Sequence, residues 1–225
     1  MKEPIIVFTI DDGTTTDYEN VYPIFKKRGL KATSYIIGSF PETGSSVYMG
    51  WEYIKALRNR GWDIQCHSYT HRYMGQLDEE ELIYEMVESD KVFKENEMGN
   101  ITHHCYPYGS HSTLSKNVFE GYRTTARHTG MDVTTYEEVA SNPMNIKACN
   151  MDIQDDETFE VVKSKIDEVS KMENGVLVFY FHRIRTHSAI SIQESYLEKV
   201  LDYVISKGIA VKTFGEMFNH VHEYV

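Results

Sequence analysis

Eight short β-like runs, most of them nearly continuous in apolar or β-favouring residues, recur along this chain, separated by longer amphipathic stretches. They cover residues 5–10, 32–37, 62–66, 101–106, 122–126, 146–151, 176–181 and 209–214. Continuous apolar character over four to eight residues suits strands buried on both faces, which is the condition of a parallel sheet. The stretches between them read as helices. Residues 18–28 carry Val21, Ile24 and Phe25, and residues 51–60 carry Trp51, Ile54 and Leu57. Residues 78–98 open on acids, as suits a helix N-terminus, and place Leu82, Met86 and Phe93 at helical spacing. Residues 156–172 and 191–207 repeat the pattern, the second with a capping box expected from Ser191 to Glu194. Gly29, Gly61, Gly99, Gly175 and Gly208 follow the helical stretches as stops.

Strand and helix in alternation predict a parallel sheet clothed by helices. Seven or eight such units within 225 residues can close into a distorted, TIM-like (β/α) barrel, which is the expected fold, spanning residues 1–225 as one domain. An open doubly wound sheet is the alternative. It is disfavoured because Gly13 stands alone after the first strand, without a glycine-rich phosphate loop. At 41% hydrophobic residues the chain can bury a large core. Its net charge of -11 argues against nucleic acid as a partner and against an anionic membrane surface. No run reaches transmembrane length, and nothing in the sequence points to a protein partner. The first strand begins without a leader-like segment, so a cytoplasmic location is the expectation. Three cysteines, Cys66, Cys105 and Cys149, make no disulfide framework and read as buried thiols.

In parallel α/β folds, chemistry gathers where strands end. Here the first strand runs into "TIDDG", with Asp11 and Asp12. The third runs into "HSYTH", His67 to His71, the fourth into "YPYG", with Pro107, Tyr108 and Gly109, and the seventh into His182. Each motif alone is ordinary: a turn, a histidine pair on a helix-like backbone, a packed histidine. Together they put two carboxylates, three histidines and a Pro-Tyr-Gly turn on one rim. Two histidines and a carboxylate suit a divalent metal, Zn²⁺ first, with Co²⁺, Ni²⁺ or Fe²⁺ as alternatives. Adjacent acids in an extended segment point in different directions, so one can bind the cation while the other faces a water. A histidine across the site can then protonate a leaving group. These are the parts needed to hydrolyse an acyl bond.

With these motifs the sequence resembles the polysaccharide deacetylases, the NodB-homology or carbohydrate esterase family 4 enzymes. TIDDG resembles the family's TFDDG, HSYTH its H-[ST]-x-x-H, YPYG the tail of its R-x-P-Y, and FYFH its final hydrophobic-x-His motif. The resemblance implies a distorted (β/α) barrel that removes acetyl groups from an acetylated carbohydrate, N-acetyl before O-acetyl. It implies Asp12, His67 and His71 as metal ligands, Asp11 as base and His182 as acid. It implies Tyr108 as a backbone donor to the oxyanion, with Pro107, Tyr108 and Gly109 walling the acetyl pocket. One residue departs from the pattern: the arginine of R-x-P-Y falls at Cys105. Arg127, just past the fifth strand, is the candidate to replace it. Two other readings keep the fold: an amidohydrolase of a small non-sugar amide, and a carbohydrate-binding relative with impaired catalysis. A non-haem iron site would also use two histidines and a carboxylate, but leaves Asp11 and His182 without roles. His103, His104, His111 and His128 read as packing or surface residues, and His187 could line the rim.

Overall fold

The structure, a computed structural model, describes residues 2–152, 156–184 and 190–225, with His187 outside them. Its strands are β1 (Ile5–Ile10), β2 (Thr33–Ile36), β3 (Asp63–Cys66), β4 (His103–Cys105) and β5 (Thr125–Thr129). They continue as β6 (Thr134–Thr135), β7 (Ile146–Asn150), β8 (Gly175–Phe181) and β9 (Ala210–Lys212). The helices are α1 (Tyr22–Lys27), α2 (Trp51–Asn59), α3 (Glu79–Glu95), α4 (Thr113–Phe119), α5 (Tyr136–Ser141), α6 (Asp156–Val169), α7 (Glu194–Ser206) and α8 (Phe214–His222).

Seven strands, β1 to β5 with β7 and β8, pair in parallel, and β8 returns to β1 to close the barrel. Closure removes the open edges that a strand ribbon would otherwise expose. β1 is the hub. It pairs along its whole length with β8, from Ile5 opposite Val176 to Ile10 opposite Phe181. Its other edge is shared: Ile5, Ile6 and Val7 pair with β9, while Thr9 and Ile10 pair with β2. The barrel is therefore splayed at its base, where β9 enters, and closed at its carboxyl rim. Short β6 adds an antiparallel pairing to the start of β8.

The double-sided burial expected of the strands is present. Ile6, Phe8 and Ile10 pack with helix residues such as Phe25, Leu197 and Leu201, whereas Ile5 and Val7 pack with Ile146, Val176, Val178, Tyr180 and Phe214. β8 divides the same way, Leu177, Phe179 and Phe181 outward and Val176, Val178 and Tyr180 inward. This is the two-residue period of a strand with different partners on each face. Asp11 extends the inward phase of Ile5, Val7 and Thr9. The base is plugged by α8, whose Phe214 N–H donates to Thr33 Oγ1 at 2.8 Å and Gly215 N–H to Asp63 Oδ2 at 2.9 Å.

Several elements differ from the sequence expectation. The fifth strand runs from Thr125 to Thr129 rather than over 122–126, because Arg127 is buried by an internal ion pair and does not end the strand. Phe214 belongs to a helix, not to the last strand: Thr213 caps α8 in a reciprocal box with Glu216. The box expected from Ser191 does not form, since the N-cap of α7 is Gln193, without a side-chain cap bond. α4, α5 and α8 are additional helices, the first two of only 7 and 6 residues. The 18–28 stretch is a π turn over Asp17–Val21 leading into α1. No helix among the described residues is long and apolar enough to cross a membrane.

Phe8 stacks on Phe179 at 5.5 Å and meets Phe25 edge-on at 5.6 Å, on the hub strand of the barrel. Phe8→Ala is expected to lower the unfolding free energy by about 3–5 kcal/mol, read by urea denaturation.

Candidate active site

All the motif residues singled out in the sequence reach the carboxyl rim of the barrel. Asp11 follows β1 directly, and its N–H donates to Phe181 O at 3.0 Å, extending the pairing with β8 by one bond. The chain then breaks from the strand. Asp12 adopts φ 74 and Gly13 φ 69. At Gly13 the left-handed φ disfavours any side chain, and a Cβ there would also displace Ile36 Cδ1, 2.7 Å away. The turn sends the two adjacent carboxylates to different neighbours.

Asp11 is buried, and the Arg127 guanidinium donates to its Oδ1. Cys105 Sγ lies 3.6 Å from Asp11 Oδ2. Arg127, on β5, is buried in the barrel between Tyr35 and Tyr180, its guanidinium 4.7 and 5.3 Å from their ring centroids. Burial alone would raise the Asp11 carboxyl. The Arg127 charge, with that of His182, overcomes burial and holds it below the ordinary carboxylate range. Arg127 thus stands against Asp11 as the candidate for the missing arginine, and Cys105 fills the adjacent space as a buried thiol.

Asp12 turns toward the histidines. His67 follows β3 and donates from Nδ1 to Cys105 O at 2.8 Å. That carbonyl can only accept, so the proton sits on Nδ1 and the Nε2 lone pair faces Asp12 Oδ1 at 3.6 Å. His71 Nε2 lies 3.4 Å from the same oxygen, and its Nδ1 is 3.1 Å from the Tyr108 hydroxyl. Burial depresses both imidazoles, His71 to about 4 with help from neighbouring His67, so both are neutral at pH 7. The HSYTH segment is not helical. Ser68 and His71 have φ of 64 and 63, and the His71 N–H donates to Ser68 Oγ at 2.9 Å. A tight loop, rather than one helical turn, brings the imidazoles together.

The ligand atoms of Asp12, His67 and His71 lie within 4.8 Å of one another, and Asp12 Oδ1 is buried with no hydrogen-bond partner. Two imidazole nitrogens converging on an orphaned carboxylate oxygen fit a divalent cation, and the N₂O donor set suits Zn²⁺ or its neighbours. Arg183 Nη2 is 3.9 Å from Asp12 Oδ2.

His182 follows β8 across the rim. Asp152, just past β7, accepts from the His182 backbone N–H at 3.1 Å and from its Nδ1 at 2.6 Å. Burial alone would lower this imidazole. The Asp152 hydrogen bond and the charges of Asp11, Asp152 and Asp12 instead raise it to about 9. Pro107, Tyr108 and Gly109 form a 3₁₀ turn after β4, with Tyr108 at φ 58 and its ring exposed. A Cβ at Gly109 would lie 2.5 Å from Thr129 Oγ1. The Tyr108 ring stacks on Tyr73 at 4.1 Å, giving an aromatic rim beside His71.

Non-glycine residues with positive φ are Asp12, Ser68, His71, Glu97 and Tyr108 among the described residues. All but Glu97 belong to this site. Each costs roughly 1–2 kcal/mol, and such strain is characteristically concentrated where function demands it. Asp152 and Glu85 escaped the sequence reading. Asp152 carried the same signal as the others, an acid just beyond a strand. Glu85 carried another, an acid on the apolar stripe of Leu82, Met86 and Phe93.

Fold and site together define a closed parallel barrel with a cation-fitting triad between a carboxylate–arginine pair and a carboxylate–histidine pair. The sequence profile described as polysaccharide deacetylase matches residues 1–127. YxkH, a Bacillus subtilis protein named for the same family, is 30% identical over 149 residues, covering 65% of this chain and 50% of YxkH. The Xyl-CE4 domain of a multidomain xylanase from the hindgut metagenome of Trinervitermes trinervoides superposes with TM-score 0.66 at 17% identity, covering 97% of this chain and 91% of that domain. BA3943, a CE4 family pseudoenzyme from Bacillus anthracis, gives TM-score 0.66 at 15% identity over 96% of this chain and 66% of its own. The chain belongs to the polysaccharide deacetylase family. It spans about half the length of YxkH.

Because His182 is raised above its ordinary 6.5, its charged form stabilises the fold fully below pH 6.5, and this contribution is lost as pH rises through about 9. NMR titration should place its midpoint near 9. Asp152→Asn should lower that midpoint by roughly 1–3 pH units. A midpoint at 6.5 in the intact protein would contradict the Asp152 pairing.

Proposed function

We propose that this chain is a metal-dependent hydrolase that removes acetyl groups, N-acetyl first, from an acetylated carbohydrate. The observation that carries the reading is the opposed charging of two groups across one triad. Asp11 is held ionised by Arg127, and His182 is held protonated by Asp152. Environments that push two titratable groups apart assign a base and an acid.

Asp12, His67 and His71 would hold the divalent cation, zinc first. When bound, it supplies Lewis acidity and lowers the pKa of a water toward neutrality. Asp11 accepts a proton from the attacking water, with Arg127 bonded to its Oδ1 holding the carboxylate in place. His182 carries its proton on Nε2 and delivers it to the departing amine or alkoxide, while Nδ1 stays bonded to Asp152. The Tyr108 N–H is the proposed donor to the oxyanion that develops on the acetyl carbonyl. Pro107 and the turn through Gly109 wall the acetyl pocket. Water and the acetylated substrate are consumed, and acetate and the free amine or hydroxyl are released.

A binding role without catalysis finds less support. The departure at Cys105 is matched by a guanidinium on Asp11 from another strand, and binding alone would require neither charged pair. The test is acetate release from acetylated chito-oligosaccharides by protein stripped with chelator and refilled with Zn²⁺ or Co²⁺. Release should require the metal, and Asp11→Asn should reduce it by about 10²–10⁴-fold with metal content unchanged. Metal-independent release, or full activity in Asp11→Asn, would overturn the assignment.

A further inference from the structure

We propose that Glu85 is a positioning residue for the cation-binding triad: its buried carboxylate locks the loop that aims His67 and His71. The proposal rests on the reading that these histidines hold a cation. Glu85 lies on α3, fully buried, between Leu82 and Ser89 on the face that packs inward. A carboxylate there is costly unless donors surround it. The donors come from the triad loop. Glu85 Oε2 accepts the backbone N–H of Tyr69 and of Thr70, both at 2.8 Å, and Oε1 accepts the Thr70 hydroxyl.

Tyr69 and Thr70 lie between the left-handed residues Ser68 and His71, whose conformation no local preference supports. Other contacts hold the rest of the loop. The Gly38 N–H donates to Ser68 O at 2.9 Å, and the Ser39 N–H and hydroxyl donate to Tyr69 O at 3.0 and 2.7 Å. The His71 N–H donates to Ser68 Oγ. Glu85 therefore supplies the acceptors for the middle of the loop, where both N–H groups turn toward the same oxygen. Glu85 makes no hydrogen bond to His67 or His71, and acts through the backbone that orients them. Such outer contacts set metal affinity by fixing ligand direction.

The test uses the full chain and three variants: Glu85→Gln, Glu85→Leu and Thr70→Val. Dissociation constants for Zn²⁺ and Co²⁺ are measured by chelator competition, with the Co²⁺ absorption spectrum and the melting temperature beside them. Glu85→Gln keeps a carbonyl for the two N–H groups, and its amide can donate to the Thr70 hydroxyl. Its affinity should stay within about threefold of the parent. Glu85→Leu leaves three donors without an acceptor and should weaken affinity about 10–100-fold, with a changed Co²⁺ spectrum. Thr70→Val removes one bond and should fall between them, which keeps the test decisive if Glu85→Leu does not fold. Parent-like affinity and spectrum in folded Glu85→Leu, or in Thr70→Val where the leucine variant does not fold, would overturn the proposal even with a lower melting temperature. Absence of Zn²⁺ and Co²⁺ binding by the parent chain would instead overturn the cation reading of the triad itself.

Discussion

A guanidinium buried inside a barrel and bonded to a carboxylate at its mouth is the interaction on which the site depends. Alone at this depth, either Arg127 or Asp11 would be a buried charge without compensation. Removing one partner of such a pair typically costs about 3–5 kcal/mol, because the other is left uncompensated. The pair also divides the work of the two adjacent acids. Asp11 is satisfied by an internal cation and keeps its charge, while Asp12 Oδ1 is left without a hydrogen bond and faces two neutral imidazoles. Two negative charges side by side at the end of a buried strand thus have separate partners.

The barrel makes this arrangement by strand phase. Asp11 continues the inward-facing residues of β1, and Arg127 and Cys105 face each other in adjacent register on β5 and β4. In the family's motif the arginine comes from the strand that here carries Cys105. Here a guanidinium reaches Asp11 from the neighbouring strand instead, the replacement proposed for that arginine, with the small Cys105 thiol beside it. Tyr35 and Tyr180 sandwich the guanidinium and hold it in the interior. On the opposite side, Asp152 does for His182 what Arg127 does for Asp11, with the sign reversed.

Much of this was legible in the sequence, and the gaps have physical causes. Apolar runs marked β1 and β8 most clearly, because strands buried on both faces carry few polar residues, whereas β2 to β5 and β7 mix polar with β-favouring residues and showed more faintly. Rim residues stood out after β1, β3 and β8 because acids or histidines follow those strands directly, and after β4 because a Pro-Tyr-Gly turn does. The limits of β5 were misplaced because an arginine in a buried strand reads as a terminus until its partner, distant in sequence, is known. α4 and α5 were missed because short helices show too few turns to establish a period. α8 was legible in principle, since Thr213 and Glu216 have capping-box spacing, but its first residue resembles the end of a strand. The histidine pair was expected on a helix-like backbone, and spacing alone cannot tell that geometry from a loop with two left-handed residues. Asp152 and Glu85 each carried a local signal, an acid just past a strand and an acid on a buried helix face, but their partners, His182 and the loop after β3, lie far away in sequence and only the fold brings them together.

The most direct test is to move the guanidinium. Acetate release would be compared for the parent chain, Arg127→Met, and the double variant Cys105→Arg with Arg127→Met, each folded and loaded with equal metal. The account predicts that Arg127→Met loses turnover by about 10²-fold or more, as expected when a general base is no longer held charged and oriented. The double variant should recover a measurable part of that loss by presenting a guanidinium to Asp11 from β4. Parent-like turnover in Arg127→Met would contradict the account, because Asp11 would then act without the partner assigned to it.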